Sequence, residues 1–302
     1  MRLATIFHDG REQAALVLEE GLLPIEKINA LFEQTWPTEL FDIITRQKLD
    51  ELKHFVQEKG DYMLQEAGAD LLAPEVVEYR PLYRHPSKIW GIGLNYVDHA
   101  SDLNEVAPNT EPASFMKPDT AIIGYGDTIE VPLQSHRTTA EAELGVIIGK
   151  ECKNVEIEDV PNVIAGFTTI IDMTAEDILE KNPRYLTRSK SFDTFFSFGP
   201  QLVTVDEVED VQKLNVSTVI NGSIHRKNVV ENMTFKPWEL VSFHSKVMTL
   251  KPGDIISTGT PGAVPIAEGD SIECHIDGFE GLVNSVKDLK VTSSAEVEKV
   301  SK

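Results

Sequence analysis

The sequence predicts an α+β fold that is mostly β, with a small α/β domain at the N-terminal end. Two observations carry this prediction. Before about residue 75, apolar residues recur at helical spacing, as they do at Ile25, Ile28, Leu31 and Phe32. From Ile89 onward, short β-rich runs alternate with Gly and Pro, which is typical of a domain built from strands and turns.

A linker separates these two patterns. The segment EYRPLYRHPSK, residues 78–88, contains two prolines and four basic residues and lacks either periodicity. We therefore expect a small N-terminal domain with its linker over residues 1–80, a larger domain over residues 81–290, and a polar C-terminal tail over residues 291–302. Within the larger domain, Asn221-Gly222 lies between two alternating runs and predicts a β-hairpin.

Composition excludes several classes of partner. The 302 residues include 28 Lys and Arg against 49 Asp and Glu, a formal net charge of -21, so a nucleic-acid partner is not expected. No apolar run is long enough for a signal peptide or a membrane span, which predicts a cytoplasmic protein without a membrane partner. Cys152 and Cys274 lack metal-site or redox spacing and are expected to be free thiols.

Two glutamates begin the run EAELGVIIGK. On a strand, Glu141 and Glu143 project from the same face, where their like charges repel. A solvated strand edge, a carboxylate pair acting on a glycoside and a cation site are all compatible with this pair. A second apolar strand, GFTTIID, ends on the carboxylate of Asp172. Three carboxylates without His or Cys favour a hard divalent ion, Mg²⁺, Mn²⁺ or Ca²⁺, over Zn²⁺.

Several motifs together carry a resemblance to a known family. From Lys88 to Val286, about two thirds of the chain, the sequence resembles the fumarylacetoacetate hydrolase family. The motifs are GIGLNYVDH, FMKP, EAELGVIIGK, GFTTIIDMTAED, SKSFDTFFSFGP, the Asn-Gly hairpin and MTLKPGDIISTGTP. The resemblance implies a β-roll or sandwich catalytic domain of that family's type, a homodimer, and a metal ion, Mg²⁺ or Mn²⁺, held by Glu141, Glu143 and Asp172.

The resemblance also implies a reaction. Family members cleave a carbon–carbon bond in a 2-oxo acid or diketo acid, or shift a double bond in a related dioate. The leading hypothesis is an acylpyruvate-type hydrolase that works through a metal-bound enolate. Two alternatives use the same site, an oxaloacetate decarboxylase and a 2-hydroxyhepta-2,4-diene-1,7-dioate isomerase. Two others differ in class: a non-catalytic protein that binds metal and a 2-oxo acid, and a metal-free glycosidase.

Further site residues follow from the same resemblance. Lys190, in SKSFD, matches the family's active-site lysine and would stabilise the enolate or deliver a proton. His99 with Asp102 matches a dyad that activates water. Thr260, in TGTP, matches a threonine that contacts the substrate carboxylate, and Lys117, in FMKP, is a candidate for the same pocket.

The chain departs from the family at two positions after Asp172. The family commonly has S-A-R-D-x-Q where this chain reads TAEDIL, so Glu176 replaces an arginine and Leu179 a glutamine. Both positions help hold substrate in relatives. An anion in place of a cation should discourage a dianionic substrate unless Arg184 or Arg188 compensates.

Overall fold

The computed structural model of the chain describes residues 1–97 and 107–291. A twelve-stranded and a five-stranded sheet form its framework. The main path of the large sheet is β3 (Gly21–Pro24), β2 (Arg11–Leu18), β1 (Arg2–His8), β11 (Phe196–Thr204), β10 (Ile164–Ala175), β9 (Thr138–Ile148), β14 (Ile255–Ser257), β5 (Ile89–Gly93) and β6 (Ala113–Lys117). Three short strands join it, β4 (Glu78–Tyr79) on β1, β7 (Ile122–Ile123) on β11 and β15 (Val264–Pro265) on β9. The small sheet has the order β13 (Ser223–Val229), β12 (Asn215–Ile220), β16 (Ser271–Ile276), β17 (Leu282–Asp288) and β8 (Thr128–Val131).

Six α-helices lie within the described residues. They are α1 (Ile25–Phe32), α2 (Leu40–Thr45), α3 (Leu49–Ala67), α4 (Glu176–Lys181), α5 (Leu186–Lys190) and α6 (Pro237–Val247). The first three belong to the N-terminal part, and α4 and α5 follow β10 directly. In the part of the chain that the structure describes, no helix is long and apolar enough to cross a bilayer.

The central strand β9 separates two hydrophobic cores. Successive side chains of a strand point to opposite faces. Accordingly, Ala142, Leu144 and Val146 face the small sheet and belong to the core between the two sheets. Ile147 faces the other way and packs in a second core with residues of the N-terminal helices. Glu141 has the same parity as Ile147, so it lies on that second face, beyond the edge of the N-terminal core.

The predicted fold class is confirmed, because strands dominate and helices concentrate in the N-terminal part. Strand β1 pairs with β11, so the N-terminal strands extend the large sheet. Two of the four residues at helical spacing, Ile25 and Ile28, are buried in α1, while Leu31 is exposed. The domain boundary near residue 80 remains a prediction.

The predicted hairpin connects β12 and β13. Ile220 pairs with Ser223 across the turn. Asn221 and Gly222 both have positive φ, 51° and 76° respectively. This is the conformation that a two-residue hairpin requires and that Asn and Gly adopt at little cost.

The two cysteines are free and buried, as expected. Burial raises the pKa of both thiols, that of Cys274 to about 12. A thiol that stays protonated is a poor nucleophile, so neither cysteine is a candidate for covalent catalysis.

Candidate metal centre

Three carboxylates meet on one face of the large sheet. We call Glu141, Glu143 and Asp172 the carboxylate cup. The two glutamates are two residues apart on β9 and share a face. Asp172, on β10, is the direct cross-strand partner of Glu141. One oxygen of each carboxylate lies within 4.8 Å of the others, and all three residues are buried. The structure thus brings together the three residues predicted to bind metal.

The strand that carries Asp172 is longer than predicted. The sequence predicts that this strand ends at Asp172, but β10 continues to Ala175, which pairs with Thr138. The ladder with β9 persists for three more residues because both strands supply side chains that are buried there. Asp172 therefore lies within the sheet, three residues before the end of β10.

Two lysines complete the centre. Lys117, the last residue of β6, donates to Oδ1 of Asp172 and to the carbonyl of Met173 at 3.3 Å. Lys190, the last residue of α5, donates to Oδ2 of Asp172 at 2.6 Å and to Oε2 of Glu141 at 3.1 Å. Both oxygens of Asp172 therefore accept hydrogen bonds from ammonium groups, which are among the stronger hydrogen bonds in proteins.

A hydroxyl group orients Glu141. Thr174 lies two residues after Asp172 on the same face of β10, and its Oγ1 donates to Oε1 of Glu141 at 2.6 Å. Because Lys190 binds the other oxygen of Glu141, both oxygens have a fixed partner. The carboxylate of Glu141 is thus held in one orientation.

Glu143 accepts hydrogen bonds from the last residue of β14 and from the loop that follows it. Its Oε2 accepts from Oγ of Ser257 at 2.5 Å and from the backbone N–H of Gly259 at 2.8 Å. Gly259 has a φ of 99°, and a Cβ there would lie 2.7 Å from Cβ of Asn95. The TGTP motif therefore needs glycine at this position, because both the conformation and the close approach exclude a side chain.

Burial and neighbouring charges shift the pKa values of two carboxylates of the cup. Burial, reinforced by the charges of Asp172 and Glu141, raises the pKa of Glu143 from 4.5 to about 8. For Asp172, burial opposes ionisation, but the ammonium groups of Lys117 and Lys190 prevail and lower the pKa. Glu143 is thus the carboxylate that lacks a compensating cation at hydrogen-bonding distance among the described residues.

The two lysines respond differently to the same surroundings. Burial disfavours both ammonium groups. For Lys190 the three carboxylates of the cup outweigh burial and raise its pKa above the usual value. For Lys117 burial, together with the charge of Lys190, outweighs the attraction of Asp172 and lowers its pKa. Lys190 is therefore the more firmly fixed positive charge of the pair.

The cup fits a hard divalent cation. Its donor set consists of carboxylate oxygens, which suit Mg²⁺, Mn²⁺ and Ca²⁺. Three carboxylates and two ammonium groups leave one formal negative charge in a buried site. A divalent ion would change that sign and remove the repulsion that raises the pKa of Glu143.

The remaining predicted residues have different outcomes. Lys117 and Lys190 lie beside the cup, as described above. Thr260 is buried, and its hydroxyl contacts the backbone of Gly262 at 3.3 Å within its own turn. His99 and Asp102 lie outside the described residues. The catalytic and substrate-binding roles of these five residues remain predictions.

Glu176 is paired, but with an arginine that the sequence analysis did not identify. Its carboxylate is 7% exposed and lies 2.6 Å from Nε of Arg137. Arg137 directly precedes Thr138, the residue of β9 that pairs with Ala175 of β10. The carbonyl of Arg137 accepts from the N–H of Glu176 at 2.9 Å. Arg137 therefore offsets the charge of Glu176 itself. A compensating role of Arg184 or Arg188 toward a dianionic substrate stays a prediction.

Sequence reasoning missed Thr174 and Ser257. Thr174 could have been found, because strand alternation from Asp172 places it on the face of the cup. Ser257 left no such signal, because it lies 114 residues from Glu143 and reaches it only through the pairing of β14 with β9.

The chain is thus a mixed α+β protein with a candidate centre for a divalent cation. This centre consists of the buried carboxylate cup and two ammonium groups. The chain belongs to the fumarylacetoacetate hydrolase family. The family model described as Fumarylacetoacetate (FAA) hydrolase C-terminal matches residues 88–287. Members of this family are enzymes, among them hydrolases, isomerases and tautomerases.

Similar proteins include characterised enzymes and one without an assigned activity. An uncharacterised protein of Methanocaldococcus jannaschii is 41% identical over 82% of this chain and 99% of its own length. The mitochondrial oxaloacetate tautomerase of Xenopus laevis is 35% identical over 76% of this chain and 72% of its own length. These similarities cover about three quarters or more of this chain.

A solved structure shows both a metal and a 2-oxo acid. The maleylpyruvate hydrolase of Sphingobium sp. SYK-6, in complex with manganese(II) and pyruvate, has a TM-score of 0.74 and 27% identity. It covers 95% of this chain and 99% of its own. Together with the buried cup, this neighbour supports a divalent-metal site without distinguishing Mg²⁺ from Mn²⁺.

Proposed function

We propose that the chain is a divalent-metal-dependent enzyme that forms the enolate of a small 2-oxo acid. Its first candidate reaction is the keto–enol tautomerisation of oxaloacetate. The observation that carries the proposal is the cup with its two lysines, because enolate formation needs positive charge in a buried site, which the two ammonium groups and a divalent cation in the cup would supply together. The oxaloacetate tautomerases among the relatives support this choice of reaction. Keto–enol tautomerisation differs from the hydrolysis, decarboxylation and dioate isomerisation that the sequence predicts.

Glu141, Glu143 and Asp172 would hold Mg²⁺ or Mn²⁺, with Ca²⁺ as a third option. When bound, such an ion acts as a Lewis acid that polarises the 2-oxo group and offsets the charge of the enolate. The protein fixes the cup beforehand through Thr174, Ser257 and Gly259, so the ligands need little rearrangement.

The lysines supply positive charge from the protein itself. Nζ of Lys190 lies between Asp172 and Glu141 and remains protonated, so it offers hydrogen bonds to an oxygen on which charge develops. Lys117 donates to the other oxygen of Asp172 and would bind the substrate carboxylate. Lys117 and Asp172 are almost fully buried, and exclusion of water strengthens these interactions.

Hydrolysis of an acylpyruvate is the second candidate, and one observation favours it. Arg137 lies between Glu176, at 2.6 Å, and Glu180, at 3.8 Å, so this group of three carries one net negative charge. Burial raises the pKa of Glu176, and the nearby negative charge of Glu141 raises it further. This environment suits a monoanionic acylpyruvate better than a dicarboxylate. His99 with Asp102 would activate the water, and Thr260 would bind the substrate carboxylate.

The remaining alternatives use the same centre. Oxaloacetate decarboxylation and isomerisation of a hydroxydienedioate both need the enolate, and a non-catalytic protein would bind metal and a 2-oxo acid without turnover. The homodimer and the cytoplasmic location remain predictions.

The test is a panel of reactions on one preparation. We would measure the decay of enol-oxaloacetate absorbance, carbon dioxide release from oxaloacetate and pyruvate release from acetylpyruvate, each with Mn²⁺, Mg²⁺ or chelator. Glu143→Ala removes one ligand, and Glu158→Ala changes an exposed glutamate as a matched control. Metal-dependent turnover by the wild type and Glu158→Ala but not by Glu143→Ala supports the proposal. Turnover that is unchanged by chelator or by Glu143→Ala refutes it.

A further inference from the structure

An aromatic ring lies against the ammonium group of Lys190. The ring centroid of Phe115 is 4.8 Å from Nζ of Lys190. Phe115 is 8% exposed, so this contact is largely shielded from water. A cation within about 6 Å of a ring centroid is attracted by the negative face of the ring, and more strongly so where water is excluded.

A glycine makes room for the ring. Gly91 on β5 is the direct cross-strand partner of Phe115 on β6. A Cβ at Gly91 would lie 2.2 Å from Cζ of Phe115, so any side chain at Gly91 would displace the ring. The ring therefore lies across the backbone of β5. In the sequence, this contact joins the GIGLNY motif to the FMKP motif.

Strand β6 carries two residues that contact the metal centre. Phe115 and Lys117 are two residues apart on β6 and share a face. Lys117 contacts Asp172 directly, whereas Phe115 contacts the ammonium of Lys190. Lysine has a long, flexible side chain, so a charge partner alone leaves several conformations open. The ring of Phe115 lies on one side of the ammonium group, and two carboxylates lie on the other. Together they favour the side-chain conformation of Lys190 in which Nζ bridges Asp172 and Glu141.

We propose that Phe115 is a positioning residue, whose ring, seated over Gly91, fixes the ammonium group of Lys190 at the carboxylate cup. The effect on turnover rests on the proposed function. The effect on the position of Lys190 does not, because it can be observed without substrate.

The variants separate the aromatic face from apolar volume. Phe115→Tyr keeps the face, Phe115→Leu removes it but keeps an apolar side chain, and Gly91→Ala displaces the ring. Met116→Leu is the matched control, because Met116 is the neighbouring residue of β6 and is 39% exposed.

The direct measurement is the nuclear magnetic resonance of ¹³C,¹⁵N-lysine-labelled protein. The ring current of Phe115 should shift the ε-methylene signal of Lys190 upfield, and Lys190→Arg identifies that signal by its loss. We expect the shift to persist in Phe115→Tyr and Met116→Leu and to disappear in Phe115→Leu and Gly91→Ala. In the same preparations, kcat should fall about tenfold in Phe115→Leu and Gly91→Ala, with KM changed less than about twofold.

Two results would overturn the proposal. One is an ε-methylene shift in Phe115→Leu, or in Gly91→Ala if Phe115→Leu does not fold, that equals the wild-type shift. The other is loss of kcat in Phe115→Tyr equal to that in Phe115→Leu, since an intact face must rescue the rate. If the wild type turns over none of the substrates, the proposed function fails, and the shift then tests whether the ring of Phe115 lies against the side chain of Lys190.

Discussion

Glu141 lies directly opposite Asp172 in the register of β9 and β10, and the ammonium of Lys190 contacts both carboxylates. Like charges directly opposite each other destabilise a sheet. Here Lys190 offsets the pair, but the nearby carboxylate of Glu143 is not offset in the same way. The local charge balance therefore makes the stability of the protein depend on the cup, on pH and on bound cations.

Removing the charge of Asp172 should destabilise the protein. In Asp172→Asn, two buried ammonium groups lose their shared carboxylate partner, and among the described residues Lys117 keeps the carbonyl of Met173 as its acceptor. Breaking a buried ion pair from one side costs more than the pair contributes, so we expect a loss of about 3 kcal/mol in the free energy of unfolding. Denaturant unfolding measures this, with the exposed Asp193→Asn expected to lie within about 0.5 kcal/mol of the wild type. A loss in Asp172→Asn as small as that of the control would contradict the prediction.

Removing the charge of Glu143 should have the opposite effect. Its pKa is about 8 in the folded protein against 4.5 ordinarily, so the folded state holds this proton more tightly than the unfolded state. Stability is therefore lost as pH rises from about 4.5 to about 8. In chelator, we expect Glu143→Gln to be more stable than the wild type by roughly 1–3 kcal/mol near pH 9, with little gain near pH 5.

Metal should reverse this order. Mn²⁺ stabilises a protein that binds it only when folded, by an amount that grows with concentration over Kd. Saturating Mn²⁺ should therefore raise the Tm of the wild type more than that of Glu143→Gln. Equal increases in Tm would show that Glu143 is not a ligand.

Strand alternation explains why the cup could be predicted from the sequence. Glu141 and Glu143 are close in the chain, and their common face follows from a period of two. Their neighbour Asp172 required in addition that two apolar runs be adjacent strands, which family resemblance suggested. The partners of Glu143 and Glu176 could not be predicted, because Ser257 and Arg137 reach them through strand pairing and loop paths that no local pattern encodes.

The charge of Glu176 should affect substrate preference. In Glu176→Gln, the guanidinium of Arg137 loses its nearer carboxylate partner and, among the residues that the structure describes, keeps the more distant, exposed Glu180. We expect kcat/KM for the dianion oxaloacetate to rise about threefold or more relative to that for the monoanion acetylpyruvate. Steady-state kinetics on both substrates measure this ratio, and Glu158→Gln should leave it unchanged. A ratio that falls in Glu176→Gln would show that Glu176 does not repel the second carboxylate.

The conformation of Gly259 should be essential to the loop that holds Glu143. Gly259→Ala places a Cβ in the left-handed region and 2.7 Å from Asn95 Cβ. Gly278 has a φ of 77°, and no heavy atom of the described residues lies within 4 Å of a Cβ built there. Gly278→Ala therefore carries the conformational cost without the close contact. We expect Gly278→Ala to lose about 1 kcal/mol in the free energy of unfolding and Gly259→Ala clearly more. Equal losses would show that the loop moves to accommodate the side chain.

The fold was predictable at the level of class, but its connectivity was not. Helical spacing at Ile25 and Ile28 predicted α1, and the Asn-Gly pair predicted the hairpin, because both signals are local. That β1 pairs with β11 was not readable, because about 200 residues separate Leu3 from its partner Leu202.

The most direct test of the account is a calorimetric titration of the metal-free protein with Mn²⁺, because the proposed function depends on the cup as a divalent-cation site. We predict one site per chain in the wild type and in Glu158→Gln, and at least a tenfold loss of affinity in each of Glu141→Gln, Glu143→Gln and Asp172→Asn. One site of wild-type affinity in all three ligand variants, or no binding by the wild type, would contradict the account.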